Sequence, residues 1–293
     1  MADSPISLVR SFNRTVTQTI GALQDDYLGR HRPLGESRLL FEIGGNGASV
    51  GELRARLDLD SGYLSRLLRS LENQQLVATE PGREDRRVRE VRLTPAGIVE
   101  LDGLNRDSDD LAQSILEPLN EKQRASLVEG MAEVERLLTA SAVRVEEVLP
   151  ESVEARHCLS RYFEELADRF EHGFDPAQSL SPTLDEFVPP KGRFLVMLLH
   201  GEPVACGGFM PIPGAAYIKR MWVARSARGL GLGRRLLHEL ERRARATGYR
   251  LVRLETQKSL TEAQQLYRSS GYREVEPFND EPYAHHWFEK ELT

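Results

Sequence analysis

Between Val223 and Leu237 the chain reads VARSARGLGLGRRLL, which sets Arg228, Gly231 and Gly233 at R-x-x-G-x-G spacing. The apolar run before these residues suits a strand and the pattern after them a helix, so the glycines fall at a strand-to-helix turn. There, backbone N–H groups meet an anion with no Cβ in the way, and the positive end of the helix favours a phosphate. The loop has no G-x-x-x-x-G-K-[ST] lysine, and its glycines do not fit the dinucleotide fingerprint. A plain helix-entry turn is the other reading of the same spacing. Cys158 and Cys206 stand far apart without metal-ligand spacing, so neither a zinc site nor a disulfide framework is implied.

The elements that must position this loop follow from the rest of the chain. Its 293 residues suit about two domains, and 40% apolar with 29% charged residues describe an ordinary globular composition. Asp3, Arg10 and Arg14 interrupt the N-terminus, so no signal peptide is expected. No segment reaches the roughly 18 uninterrupted apolar residues of a membrane span, and a cytoplasmic protein is expected. Residues 1–142 are helical in pattern and use arginine rather than lysine. From Val143 strand-like runs (VRVEEVLP, RFLVMLLHG, EPVACGGFM, AYIKRMWV, RLVRLET, YREVEPF, HHWFEKEL) alternate with helices near Glu151 to Glu171, after the glycine loop, and near Thr261 to Ser270.

In the first half, VGELRARL and YLSRLLRSLENQQLV are two helical patterns joined by a tight turn. Val50, Leu53 and Leu57 share one face of the first. Leu64, Leu67, Leu68 and Leu71 form a buried stripe on the second, with Asp60 or Ser61 as its N-cap. Its outer face then shows Ser61, Ser65, Arg66 and Arg69, a small polar surface suited to the major groove. Any antiparallel helix pair with a solvated outer face gives the same pattern. ATEPGREDRRVREVRLT follows as two short strands around a charged tip carrying Arg83, Arg86 and Arg87. Between Ser61 and Arg92 seven arginines face five acids, against a net charge of −6 for the chain.

This order of helix, second helix, REDRR and LTPAG resembles the MarR family of winged-helix regulators, with Asp85-x-Arg87 and Leu93-Thr94-x-x-Gly97 matching its wing. The resemblance implies a DNA-binding homodimer reading a two-fold related duplex operator. The N-terminal helix (Leu8, Phe12, Val16, Ile20, Leu23) and the helices within Ile98 to Leu138 would be its interface. The glycine loop, followed by LTEAQQLYRSSGYREV, resembles the GCN5-related N-acetyltransferase (GNAT) family over residues 143–293. The implied fold is an all-α winged helix-turn-helix with a small β-wing, residues 1–142, then an α/β GNAT domain with a mixed, mostly antiparallel sheet.

The second resemblance implies acetyl-CoA as cofactor and a small amine as acceptor. Arg228, Gly229, Gly231, Gly233 and Arg234 would cradle its pyrophosphate, and free backbone groups at Met221, Trp222 and Val223 its pantetheine arm. Direct acyl transfer needs an oxyanion donor, a route for the amine proton and an acid near sulfur. Tyr267 takes the place of the family's tyrosine acid; the same residue also suits a packed aromatic. Where many members carry a strand glutamate this chain has Tyr217, and Leu260 replaces an asparagine. Glu255 is the substitute base, or else a partner of Lys219 or Arg220. Phe278, Asp280 and Tyr283 fall where a loop could line an acceptor pocket, Asp280 as an ammonium partner or as a turn residue. His285 and His286 read as strand-face residues. A regulator whose second domain only senses an acyl-CoA or amine is the alternative.

Overall fold

A computed structural model describes residues 4–82, 87–180 and 185–292. The chain divides into two compact units, 1–131 and 132–293.

The first unit holds helices α1 (Pro5–Thr19), α2 (Leu34–Ile43), α3 (Val50–Leu57), α4 (Ser61–Asn73) and α5 (Pro95–Leu116). Helix α6 (Glu121–Ala142) begins in this unit, and its last turns belong to the second. Asp60 caps α4, its carboxylate accepting the Tyr63 N–H at 2.8 Å. A capping box of Ser49 and Glu52 starts α3. The leucine stripe of α4 is buried as its spacing requires, against Leu39, Leu40 and Ile43 of α2 and Leu53 of α3. Strands β2 (Val77–Pro81) and β3 (Arg89–Leu93) form the wing, with Val77 opposite Leu93 and Pro81 opposite Arg89. A two-residue strand, β1 (Ala48–Ser49), adds to the other edge of β3. Gly97, in the first turn of α5, sits so close under the preceding loop that an added Cβ would lie 2.0 Å from the Leu76 carbonyl oxygen. Gly97→Ala should therefore destabilise this unit by about 2–3 kcal/mol, read as a lowered midpoint in urea with the slope unchanged.

The second unit is one sheet of seven strands: β4 (Arg144–Val148), β5 (Arg193–Leu199), β6 (Glu202–Ile212), β7 (Ala215–Val223), β8 (Leu251–Thr256), β9 (Arg273–Val275) and β10 (His286–Glu291). Their spatial order is β4-β5-β6-β7-β8-β10-β9, with every neighbour antiparallel except β7 and β8. A parallel pair needs a crossover, and α8 (Leu232–Ala246) supplies it. The period-two alternation of β5 sends Leu195 and Met197 to the core under α8, and Phe194, Val196 and Leu198 to the face covered by α7 (Val153–Arg169). Both cysteines lie in the latter core as buried free thiols. Helix α9 (Thr261–Ser269) packs Tyr267 onto Tyr272 and Phe288. Among the described residues, no helix is long and apolar enough to cross a membrane.

One irregularity opens the sheet. Strands β7 and β8 pair only at Ala216–Val252 and Tyr217–Arg253. Beyond them β7 bulges against β6, where Arg220 takes φ 59°. The upper half of β7 thus leaves β8, and the gap between them becomes the floor of the site.

Candidate functional site

The glycine loop runs from Arg228 to the start of α8 with Gly229 at φ 83° and Gly231 at φ 75°, conformations that disfavour any side chain. The Arg228 N–H donates to the Arg225 carbonyl, and the Arg235 N–H to the Gly231 carbonyl. Between them, the backbone N–H groups of residues 229–234 donate to no other group among the described residues. A side-chain cap on α8 is likewise missing. Six successive donors at a helix N-terminus form an anion cradle.

The cradle opens into a cavity of about 720 Å³, within the usual range for ligand sites. Met221, Trp222 and Val223 line its strand wall, and Arg228, Gly229, Gly231, Gly233 and Arg234 line it along the loop. The structure thus brings all eight expected cofactor contacts to one cavity. Their guanidinium groups are nevertheless occupied. Arg228 donates to the Val223 carbonyl at 3.1 Å and to both Glu165 oxygens at 2.6 Å. Arg234 donates to the Ser269 hydroxyl at 2.9 Å, tying α8 to α9. Glu165, on α7, also accepts the Trp222 indole N–H at 3.0 Å. Burial pushes its carboxyl up, but the Arg228 and Trp222 hydrogen bonds outweigh that and hold it below the ordinary range. The anion cradle itself is therefore main chain, and the arginines brace it.

A second, smaller pocket of about 100 Å³ shares Tyr162, Leu166, Met221, Leu260, Ala263 and Tyr267 with the first. Tyr267 stands where the two meet. Its hydroxyl is pushed well above the usual phenol range by burial and by the charge of Glu255, so it stays protonated at neutral pH. In the smaller pocket the Lys219 ammonium lies between two buried carboxylates, 3.3 Å from Glu255 and 2.5 Å from Glu281. Glu281 also accepts from the Ser179 hydroxyl at 3.0 Å and the Leu180 N–H at 3.1 Å. One oxygen on each acid, Oε2 of Glu255 and Oε1 of Glu281, is buried with no hydrogen-bond partner. Burial raises the Glu255 carboxyl above its ordinary range, more than the nearby Lys219 ammonium lowers it. Phe170, Phe174 and Tyr283 complete an aromatic wall, with Phe174 and Tyr283 centroids 4.8 Å apart.

Several sequence expectations are sorted by this geometry. Glu255 pairs with Lys219, and Arg220 lies instead over the Phe163 ring at 5.1 Å. Tyr217 lines neither pocket; its hydroxyl accepts from Asn279 at 2.8 Å. Of the three loop residues expected at the acceptor pocket, only Tyr283 lines it. Asp280 is exposed, and the buried acid is its neighbour Glu281, which sequence reasoning passed over. Phe278 packs edge-on to Tyr217. His286 bonds Glu274, and His285 is exposed. Among the described residues no cluster of His, Cys, Asp or Glu is placed to hold a metal.

On the first unit, Ser61, Ser65, Arg66 and Arg69 all lie exposed on α4. Arg66 stacks over the Tyr63 ring at 5.6 Å, a contact not anticipated from the pattern. Arg87 is exposed at the base of the wing; Arg83, Asp85 and Arg86 lie outside the described residues.

The acetyltransferase (GNAT) family matches residues 159–272 and the MarR family residues 30–88. The IAA acetyltransferase of Azospirillum brasilense is 38% identical over 124 residues, covering 41% of this chain and 79% of that protein. An uncharacterized N-acetyltransferase of Schizosaccharomyces pombe is 33% identical over 106 residues, and the chain spans 65% of its length, just under two thirds. It covers 35% of this chain. Among solved structures, a GNAT-family acetyltransferase from Staphylococcus aureus Mu50 aligns with TM-score 0.46 at 18% identity, over 52% of this chain and 100% of that one. A mutant MarR from E. coli complexed with operator DNA aligns with TM-score 0.38 at 23% identity, over 43% and 92%. The chain belongs to the GNAT acetyltransferase family and carries a MarR-family winged helix-turn-helix N-terminal to its acetyltransferase unit.

Proposed function

We propose that the second unit transfers an acetyl group from acetyl-CoA to a small primary amine, and that the first binds duplex DNA as a homodimer. The observation that carries the catalytic reading is the continuity of two pockets: a six-donor main-chain cradle on one side, and buried carboxylates beside Tyr267 on the other. The cradle residues fit the pyrophosphate of coenzyme A, because backbone donors and a helix N-terminus hold phosphate without a lysine. When bound, acetyl-CoA supplies the thioester, whose C–S bond breaks as the acceptor nitrogen forms the new C–N bond. Glu255, directly or through one water, takes the proton that the amine nitrogen sheds. Tyr267 gives its proton to the departing sulfur. Glu281 and Glu255 attract the acceptor's ammonium form into the pocket, and the aromatic wall encloses its carbon skeleton. A volume of about 100 Å³ confines the acceptor to a compact molecule.

Release of CoA from acetyl-CoA, followed across a panel of small amines and amino acids, tests this reading. Amine-dependent release establishes an enzyme. Saturable acetyl-CoA binding without release by any amine would replace it with the sensor reading, for which the missing glutamate at Tyr217 speaks.

The DNA reading rests on the exposed Ser61, Ser65, Arg66 and Arg69 face, which no other described element covers. The homodimer reading rests on α1, which buries none of its residues and exposes Ile6, Leu8, Val9 and Phe12. Changing Arg66 and Arg87 together to alanine should weaken binding to a duplex selected from a random pool. The slope of log affinity against log salt should become shallower by about 2, one for each lost phosphate contact. Unchanged affinity and slope would remove these residues from the DNA interface.

A further inference from the structure

The last turns of α6 touch the cradle loop, although α6 lies outside the stretch that matches the acetyltransferase family. Arg136 donates from Nη1 to the Gly229 carbonyl oxygen at 3.2 Å. Its guanidinium is aimed by Glu133 one turn earlier, which accepts from Nε at 2.8 Å and from Nη2 at 2.6 Å. A reciprocal tie runs the other way. Arg235, in the first turn of α8, donates to the Ala140 carbonyl at 3.0 Å and the Val143 carbonyl at 2.8 Å, occupying the free carbonyls at the end of α6. The loop is thus clamped on both flanks to one helix.

The Gly229 tie has a consequence for the cradle. The peptide joining Gly229 to Leu230 is trans, so its C=O and N–H point in opposite directions. No residue of α6 lines the large cavity, whereas Gly229 and Gly231 do. A carbonyl held toward α6 therefore turns the Leu230 N–H away from α6, toward the cavity. Glycine at 229 makes rotation of this peptide plane cheap. A flip would withdraw one donor and present a carbonyl oxygen to the phosphate instead.

Resting on the cofactor reading above, we propose that Arg136 is a positioning residue for acetyl-CoA. It pins the Gly229–Leu230 peptide so that the Leu230 N–H stays in the cradle. Arg136 touches no substrate in this arrangement; it acts through the loop.

The test is calorimetric titration of the full-length chain and of Arg136→Ala with acetyl-CoA, at about 0.05 M and about 0.5 M salt. The expected result is a Kd raised about 3- to 10-fold in the variant at both salt concentrations, since a hydrogen bond is not screened as a distant charge is. In turnover the KM for acetyl-CoA should rise alone, with kcat, the KM for the acceptor and the thermal midpoint unmoved. Equal Kd values overturn the proposal. So does a difference that vanishes at high salt, which would make Arg136 a screened charge attracting phosphate. A lowered thermal midpoint with both KM values shifted would reduce it to a structural residue. Failure of the unaltered chain to bind acetyl-CoA overturns the cofactor reading itself, and this inference with it.

Discussion

Tyr267→Phe should lower kcat by about 100-fold while leaving the Kd for acetyl-CoA within about a factor of two, because general acid catalysis contributes on that scale and phenylalanine keeps the ring. The ring packs between Tyr272 and Phe288 with centroids 5.9 and 5.7 Å away, and these contacts survive the change. Only the hydroxyl is lost, at the point where the two pockets meet. The pH profile separates this role from that of Glu255. A general base must be ionised to work, and burial raises the Glu255 carboxyl above its ordinary range. Activity should then fall as pH drops through that raised value, placing the acid limb of kcat/KM above the usual glutamate pKa of about 4.3. Tyr267→Phe should keep this limb, and Glu255→Gln should abolish it. A Tyr267→Phe enzyme with undiminished kcat would leave the residue as a packed aromatic and nothing more.

Gly231→Glu should abolish measurable acetyl-CoA binding. Two effects add. Gly231 takes φ 75° as the N-cap of α8, where an L side chain costs about 1–2 kcal/mol. The new carboxylate then stands beside the six free N–H donors, where it would occupy them and repel a phosphate. An added Cβ at 231 meets nothing within 4 Å, so the fold should tolerate the change and the circular dichroism of the variant should match the parent. Retained affinity in calorimetry would show that the phosphate sits elsewhere.

How much of this was legible in the sequence depends on the range of the forces involved. The cradle was legible because it is local: glycine spacing, a strand before it and a leucine stripe after it are all read within 15 residues. The α4 stripe and the seven strands of the second unit follow from periodicity in the same way. Strand β1 was not legible, because two residues cannot carry an alternation. Nor was the choice between Asp280 and Glu281, adjacent acids in one loop. What buries Glu281 is its contact with Lys219, Ser179 and Leu180, from segments 62 to 102 residues away. The engagement of Arg228 by Glu165, 63 residues distant, is hidden for the same reason. Sequence spacing proposes a cationic cradle; tertiary pairing makes it a main-chain one.

That distinction bears on how such a chain diversifies. A grip made of peptide N–H groups is indifferent to side-chain identity at its non-glycine positions, so drift at Leu230 or Leu232 leaves the donors in place. The acceptor pocket is the reverse, since each of its recognising groups is a side chain: Glu255, Glu281, Phe170, Phe174 and Tyr283. Substitutions there change what is recognised without touching the grip on the shared acyl donor. Descendants of this chain are therefore free to exchange acceptors in small steps, each intermediate still loading the same thioester.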